Sequence, residues 1–146
     1  MPGDPLFQTI LVPVDLTDLE IALPALYKAA AIADYSAGSL HLLNVQTLLP
    51  STFMDFVPPD FNVTQKQIAE QELSDVAKRL PMPDGRVTWH VRTGGVYPEI
   101  LAEADAIEAD LIVMGSHRPA MKTYLLGSNS KTVVRHAKCS VLVVRH

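Results

Sequence analysis

The sequence predicts an α/β fold, a three-layer arrangement in which helices cover both faces of a mostly parallel sheet. Five short apolar, β-branched segments alternate with four helical ones along the chain, and such alternation calls for right-handed helical crossovers between parallel strands. Three of the strand segments, Thr9 to Asp15, Leu40 to Val45 and Leu111 to Met114, are mainly apolar, as strands buried on both faces are. The length of 146 residues suits a single domain, residues 1–146, without an internal repeat or linker. A chain of that size buries about 70% of its unfolded surface, enough for a core without staples.

Each element has its own signal. Thr9 to Asp15 reads as the first strand, with Pro13 near its end, where a lost donor is tolerable. Thr17-Asp18-Leu19-Glu20 is a capping box that predicts a helix carrying Ile21, Ala25, Leu26, Ala29, Ala30 and Ala33 on one side, with Gly38 as its stop. Leu40 to Val45 is the second strand. Thr47 to Asn62 has prolines and no clear period, and predicts a long loop; loops of that length are often functional. Val63 to Leu80 has helical spacing, with Ile68, Leu73, Val76, Ala77 and Leu80 on one side. After a Pro81 to Gly85 turn, Arg86 to Arg92 alternates, which suggests a strand near a sheet edge. Gly94-Gly95 turns the chain, Pro98 fits the first turn of a helix ending near Glu108, and Leu111 to Met114 is a buried strand closed by Gly115. Gly127 opens the last helix, which runs to about His136, and Ser140 to Arg145 is the final strand.

Composition excludes several classes. The single cysteine, Cys139, leaves no disulfide framework and too few thiols for a cysteine-based metal site. With 48% hydrophobic and 19% charged residues the chain is not a disordered one. No apolar run approaches the ~20 residues of a membrane span, and no basic-then-apolar leader follows Met1. The expectation is a cytoplasmic protein with no membrane partner. The net charge of −4 argues against a nucleic-acid partner, but it is unevenly spread. Residues 1–110 hold all 16 acids and six basic residues, netting −10; residues 111–146 hold six basic residues and no acid, netting +6. A basic end of that kind suits a small anion.

Open α/β sheets bind ligands beyond the carboxyl ends of their strands. The first strand-to-helix loop, Leu16-Thr17-Asp18, lacks glycine, which removes the dinucleotide fingerprint and the Walker loop. The loop after the fourth strand is richer. It runs from Met114 through Gly115, Ser116, His117 and Arg118 to Gly127, Ser128, Asn129 and Ser130. A helix that begins at Gly127 offers free N–H groups and a dipole to an anion. Ser116, Ser128, Asn129 and Ser130 add short donors, and Arg118 and Lys122 add charge. A glycine turn followed by an ordinary serine cap explains the same residues without a ligand.

Taken with the rest of the chain, these segments resemble the universal stress protein family almost end to end. The resemblance rests on Ile10-Leu-Val-Pro-Val-Asp15, Ala109-Asp-Leu-Ile-Val-Met-Gly-Ser-His117, Leu125-Leu-Gly-Ser128 and Val133 to Arg145. It implies a five-stranded parallel sheet of order 3-2-1-4-5, a Rossmann-like arrangement, with ATP bound in many members at the break between strands 1 and 4. The family's glycine motif is G-x-x-G, nine residues, then G-(S/T). Gly115 fits the first glycine and Gly127-Ser128 the last pair. Arg118 stands where the middle glycine belongs, and eight residues separate it from Gly127. The Ser-His-Arg-Pro stretch with this shortened loop is similar to one branch of the family, in which nucleotide binding also occurs. Arginine either clamps the polyphosphate with its fork or blocks the backbone approach that glycine permits.

On this resemblance the nucleotide site comprises Pro13, Val14, Asp15 and Val45 around the nucleoside, Met114 beneath the ligand, and Gly115, Ser116, His117, Arg118, Gly127, Ser128, Asn129 and Ser130 toward the phosphates. Asp15 alternatively caps the first helix, and Pro13, Val45 and Met114 are equally well explained as core. No catalytic residue is assigned, because no general base stands beside the glycine loop. The cofactor is ATP, with or without Mg²⁺; no carboxylate cluster marks a dedicated metal site. The last strand, Val141, Leu142, Val143 and Val144, is an apolar edge that in resembling proteins pairs with its twin, which implies a homodimer. The leading function is a nucleotide-binding stress protein whose bound state an unknown protein partner reads. The alternatives are a slow ATPase or self-phosphorylating enzyme, and an interaction module that has lost nucleotide.

Overall fold

Parallel strands need crossovers, and each crossover here is a helix. The computed structural model describes residues 6–116 and 128–145. Strands β1 (Thr9–Pro13), β2 (Ser39–Gln46), β3 (Val87–Thr93), β4 (Leu111–Gly115) and β5 (Ser140–Val144) form one sheet of order β3-β2-β1-β4-β5. All four pairings are parallel, with Ile10 opposite both Leu40 and Leu111 at the centre. Helices α1 (Leu19–Ser36), α2 (Phe61–Arg79), α3 (Val96–Ala106) and α4 (Ser128–His136) alternate with the strands. The expected fold and strand order are thus both present.

Strand alternation divides the core into two layers. Ile10, Val12, Leu40, Leu42, Leu111 and Val113 pack against Leu26, Ala29 and Ala30 of α1 and Leu73 and Val76 of α2. On the opposite face Leu11, Leu43, Ile112 and Met114 pack against Ile100 and Ala104 of α3 and Val133 of α4. The run of alanines on α1 lets that helix lie close to the sheet.

The entry to α1 differs from the capping box. Asp15, not Thr17, accepts the capping bonds, from Thr17 N at 3.0 Å and Thr17 Oγ1 at 2.6 Å, and a short 3₁₀ turn, Leu16–Asp18, precedes the helix. Asp15 stands two residues before the donating Thr17, so its short side chain folds back on the backbone. The exit also differs. Ala37 takes the left-handed conformation, φ 54°, and Gly38 N donates to Ala33 O at 2.8 Å, the pattern of a Schellman cap. Gly38 is glycine for space: a Cβ there would stand 2.7 Å from Phe7 O and 2.8 Å from Gln8 O. The expected long loop contains a 3₁₀ segment, Ser51–Phe56, and α2 starts at Phe61.

Candidate functional site

Because all strands run the same way, their carboxyl ends open onto one side of the molecule. There β1 hands over to the Asp15 turn, β2 ends at Gln46 and β4 ends at Gly115. The crossovers of β1 and β4 leave for opposite faces, α1 on one and α4 on the other. Diverging connections of this kind open a crevice where ligands of open α/β sheets bind. A cavity of about 730 Å³ lies at this end, its wall formed by Val14, Asp15, Val45, Phe61, Ile68 and Asn129 among others.

Four of the expected site residues therefore share one wall: Val14, Asp15, Val45 and Asn129. Asn129 stands in the first turn of α4, so that helix points its N-terminus toward the cavity. Pro13 closes β1 half-buried, and Met114 packs with Leu11 and Ile112 in the core. Gly115 ends β4 and Ser116 follows it; Ser116 is buried, and its N–H donates to Val144 O at 3.0 Å. Ser130 is buried as well and donates from Oγ to Gly115 O at 3.0 Å. That bond pins the start of α4 to the end of β4. Ser128 is the first residue of α4. His117, Arg118 and Gly127 lie outside the described residues, as does Lys122.

The cavity also takes in residues the sequence did not single out. Asn44 and Gln46 follow Leu40 and Leu42 on one face of β2, and that polar break in an apolar face was a legible signal. Asn44 Nδ2 donates to Val14 O at 2.9 Å, and Gln46 Nε2 donates to Gln65 O at 2.9 Å. Asn62, Gln65 and Glu72 join from α2. Ile68, expected to face the core, instead lines the cavity and is 47% exposed. Among the described residues no group of three or more His, Cys, Asp or Glu could hold a metal ion.

A second polar cluster lies on the α3 side of β2 and β3, away from the cavity. Buried Glu103 receives His90 Nδ1 at 2.6 Å and Arg92 Nε at 2.9 Å, and Arg92 also reaches Glu99 at 3.2 Å. Burial pushes the Glu103 carboxyl up, but the hydrogen bonds from Arg92 and His90 outweigh it and hold the group below the usual carboxylate range. Half-buried His41 sits between Ser39 Oγ at 2.9 Å and Thr88 Oγ1 at 2.7 Å. Burial, helped by nearby His90 and opposed by Glu103, lowers its affinity for a proton.

The fold and the placement of the cavity define a doubly wound α/β protein with its candidate ligand site at the switch point of the sheet. The chain belongs to the universal stress protein family, whose model matches residues 6–145. It is 34% identical over 143 residues to universal stress protein G of Escherichia coli O157:H7, covering 96% of this chain and all of that one. Among solved structures, hypothetical protein MJ0577, described in a structure-based assignment of biochemical function, shares 26% identity and a TM-score of 0.79 over 97% of each chain. The universal stress protein UspA from Lactobacillus plantarum shares 26% identity and a TM-score of 0.73, covering 94% of this chain and 97% of that one. A universal stress protein in complex with cAMP has the same fold, at a TM-score of 0.70 and 23% identity, over 94% of this chain and 97% of that one.

Proposed function

We propose that this chain is a cytoplasmic, nucleotide-sensing stress protein that binds ATP in the cavity at the carboxyl end of its sheet. The observation that carries this is the shared wall: Val14 and Asp15 from β1, Val45 from β2 and Asn129 from the first turn of α4 meet across the strand-order break. The helix N-terminus favours the phosphates, and the strand ends and α2 enclose the nucleoside. Gly115, Ser116, His117, Arg118, Gly127, Ser128, Asn129 and Ser130 are assigned to the phosphate end and Pro13, Val14, Asp15 and Val45 to the nucleoside, with Met114 supporting the floor. The cAMP complex of a structural neighbour shows that this fold accommodates an adenine nucleotide in that protein. Among the described residues no helix is long and apolar enough to cross a membrane.

The test is to purify the protein, denature it, and identify any released nucleotide by mass, followed by calorimetric titration with ATP and Mg²⁺. Released ATP, or saturable heat, is expected. Bound ADP together with measurable turnover would instead make the protein a slow ATPase. A second reading, an interaction module without nucleotide, is favoured by one fact: the Asp15 carboxylate is already engaged by Thr17 and the Ser130 hydroxyl by Gly115. Absence of both released nucleotide and titration heat would select it. The edge position of β5, with Leu142 37% exposed, supports a homodimer through Val141 to Val144. Light scattering at micromolar concentration is expected to give a dimer mass, and a monomer mass would remove that part.

A further inference from the structure

Two amides that line the cavity each spend an N–H on a main-chain carbonyl. Asn44 and Gln46 lie two residues apart on β2, on one face and about 6.6 Å apart along the strand. That face looks toward α2, since Leu40 and Leu42 of the same register pack in its layer. Asn44 Nδ2 is held by Val14 O and Gln46 Nε2 by Gln65 O. Both partners are main-chain carbonyls, which only accept. Turning either amide over would set two oxygens 2.9 Å apart, so the orientation is fixed by chemistry. The oxygens, Asn44 Oδ1 and Gln46 Oε1, have no partner among the described residues. Neither is sealed from solvent: among buried side-chain polar atoms of the described residues, Ser36 Oγ is the one without a partner. Both residues line the cavity, so its floor presents two acceptors.

We infer that Asn44 and Gln46 read the nucleobase, selecting one that carries an exocyclic amino group over one that carries a ring carbonyl at the same position. This rests on the nucleotide reading above. Charge places the base: the phosphates belong at the α4 N-terminus, beside Asn129, which leaves the uncharged base to the β2 and α2 side. The other amides of the wall, Asn62, Gln65 and Asn129, stand on the helices and not on this floor. An amino group donates to either oxygen. A carbonyl oxygen in its place would face two acceptors, and a buried acceptor without a donor is costly. The rule concerns the substituent and not the ring, so it extends to pyrimidines.

ATP and inosine triphosphate differ at that position by an amino group against an oxo group, and calorimetric titration of the full chain with each decides the matter. ATP is expected to bind about tenfold tighter or more, with GTP resembling inosine triphosphate and CTP binding better than UTP. Gln46→Met keeps the side-chain length and removes the acceptor; Asn44→Leu does the same at the second position. Each variant, checked for folding by circular dichroism, is expected to bring the ATP to inosine triphosphate ratio toward one. Equal binding of ATP and inosine triphosphate by the unaltered protein would overturn the inference while leaving the nucleotide reading standing. An unchanged ratio in Gln46→Met would overturn the role of that residue. Absence of heat with every nucleotide would remove the nucleotide reading, and the inference with it.

Discussion

The two ends of the sheet are built on opposite plans. At the amino end, side chains are spent on the backbone. The Asp110 carboxylate takes Gln8 N at 2.7 Å and Thr9 N at 3.0 Å, which fastens the entry of β1 to that of β4. Arg86, just before β3, donates to Gly38 O and Ala33 O and so ties a third strand to the end of α1. Gln8 Nε2 reaches Ser36 O at 2.9 Å. At the carboxyl end the corresponding amides, Asn44 and Gln46, are only half spent, and a cavity remains. The difference follows from helix polarity. Helix C-termini gather at the amino end of a parallel sheet and present carbonyls, which the chain must satisfy with donors such as Arg86. Helix N-termini gather at the other end and present N–H groups that a ligand can take. One end is thus closed by the protein, and the other is left for something else to complete.

If the division is real, changes at the amino end shift stability without touching affinity. The largest expected effect is Gly38→Ala. Its Cβ would meet two backbone oxygens under 3.0 Å, and backbone yields poorly. Overpacking of this kind costs about 2–3 kcal/mol, or roughly 5–10 °C in melting temperature for a chain of this size. Thermal melting measures the loss, and ATP titration of the folded variant is expected to match the parent. A variant that melts normally but binds ATP weakly would break the comparison.

At the carboxyl end, Ser130→Ala is expected to change both quantities. It removes the buried bond to Gly115 O, at a cost of about 1 kcal/mol. The start of α4 is then no longer pinned to β4, so nucleotide affinity falls severalfold. Melting and titration on one preparation separate the two effects. A stability loss with unchanged affinity would mean that the α4 start is set by packing alone.

How much of this was legible in the sequence depended on distance along the chain. The apolar runs of β1, β2 and β4 and the spacing of the helices are local, and they carried the fold and its class. The switch-point location of the site followed from the alternation. Gly38 was read as a helix stop; the structure gives the left-handed position to Ala37 and keeps Gly38 small because Phe7 and Gln8 pass beside it. Close approach by another segment leaves no mark on neighbouring residues. Asp15 and Thr17 compete for one cap, and sequence order does not decide between them. Glu103 looks like any surface acid on a helix, yet it is buried because His90 and Arg92, on β3, supply its donors. Asn44 and Gln46 passed unmarked, since the strand read from the sequence ended at Val45, and the direction of their amides depends on Val14 and Gln65.

A pH titration sharpens the comparison from the middle of the sheet. His41 has a folded pKa below its usual value, chiefly through burial. Between that lowered value and the unfolded value of 6.5, the unfolded chain binds the extra proton and the native one does not. Stability is therefore full above the unfolded pKa and declines as pH falls through the folded one. Glu103, also lowered, adds a second decline below its unfolded 4.5. Melting temperature against pH is expected to drop in two stages, and His41→Gln to remove the first. An unaltered profile in that variant would place the first stage elsewhere.

The smallest effect has the opposite sign. Ala37 holds φ 54° at the end of α1, a conformation that costs a residue with a Cβ about 1–2 kcal/mol. Glycine there removes the strain but gains freedom in the unfolded chain worth about 0.4–1 kcal/mol. The balance leaves Ala37→Gly more stable by roughly 0.5–1 kcal/mol, a rise of about 1–4 °C in melting temperature. The Schellman bond from Gly38 N to Ala33 O, at 2.8 Å, needs no change in geometry. Arg86 already donates to the same Ala33 carbonyl, so the cap is held from two sides and does not rely on residue 37. Since α1 ends at the closed side of the sheet, this stabilisation should pass nothing to the cavity, and ATP affinity is expected to stay the same. A gain in stability accompanied by altered affinity would show that α1 couples the two ends as a rigid rod, and that they are not independent.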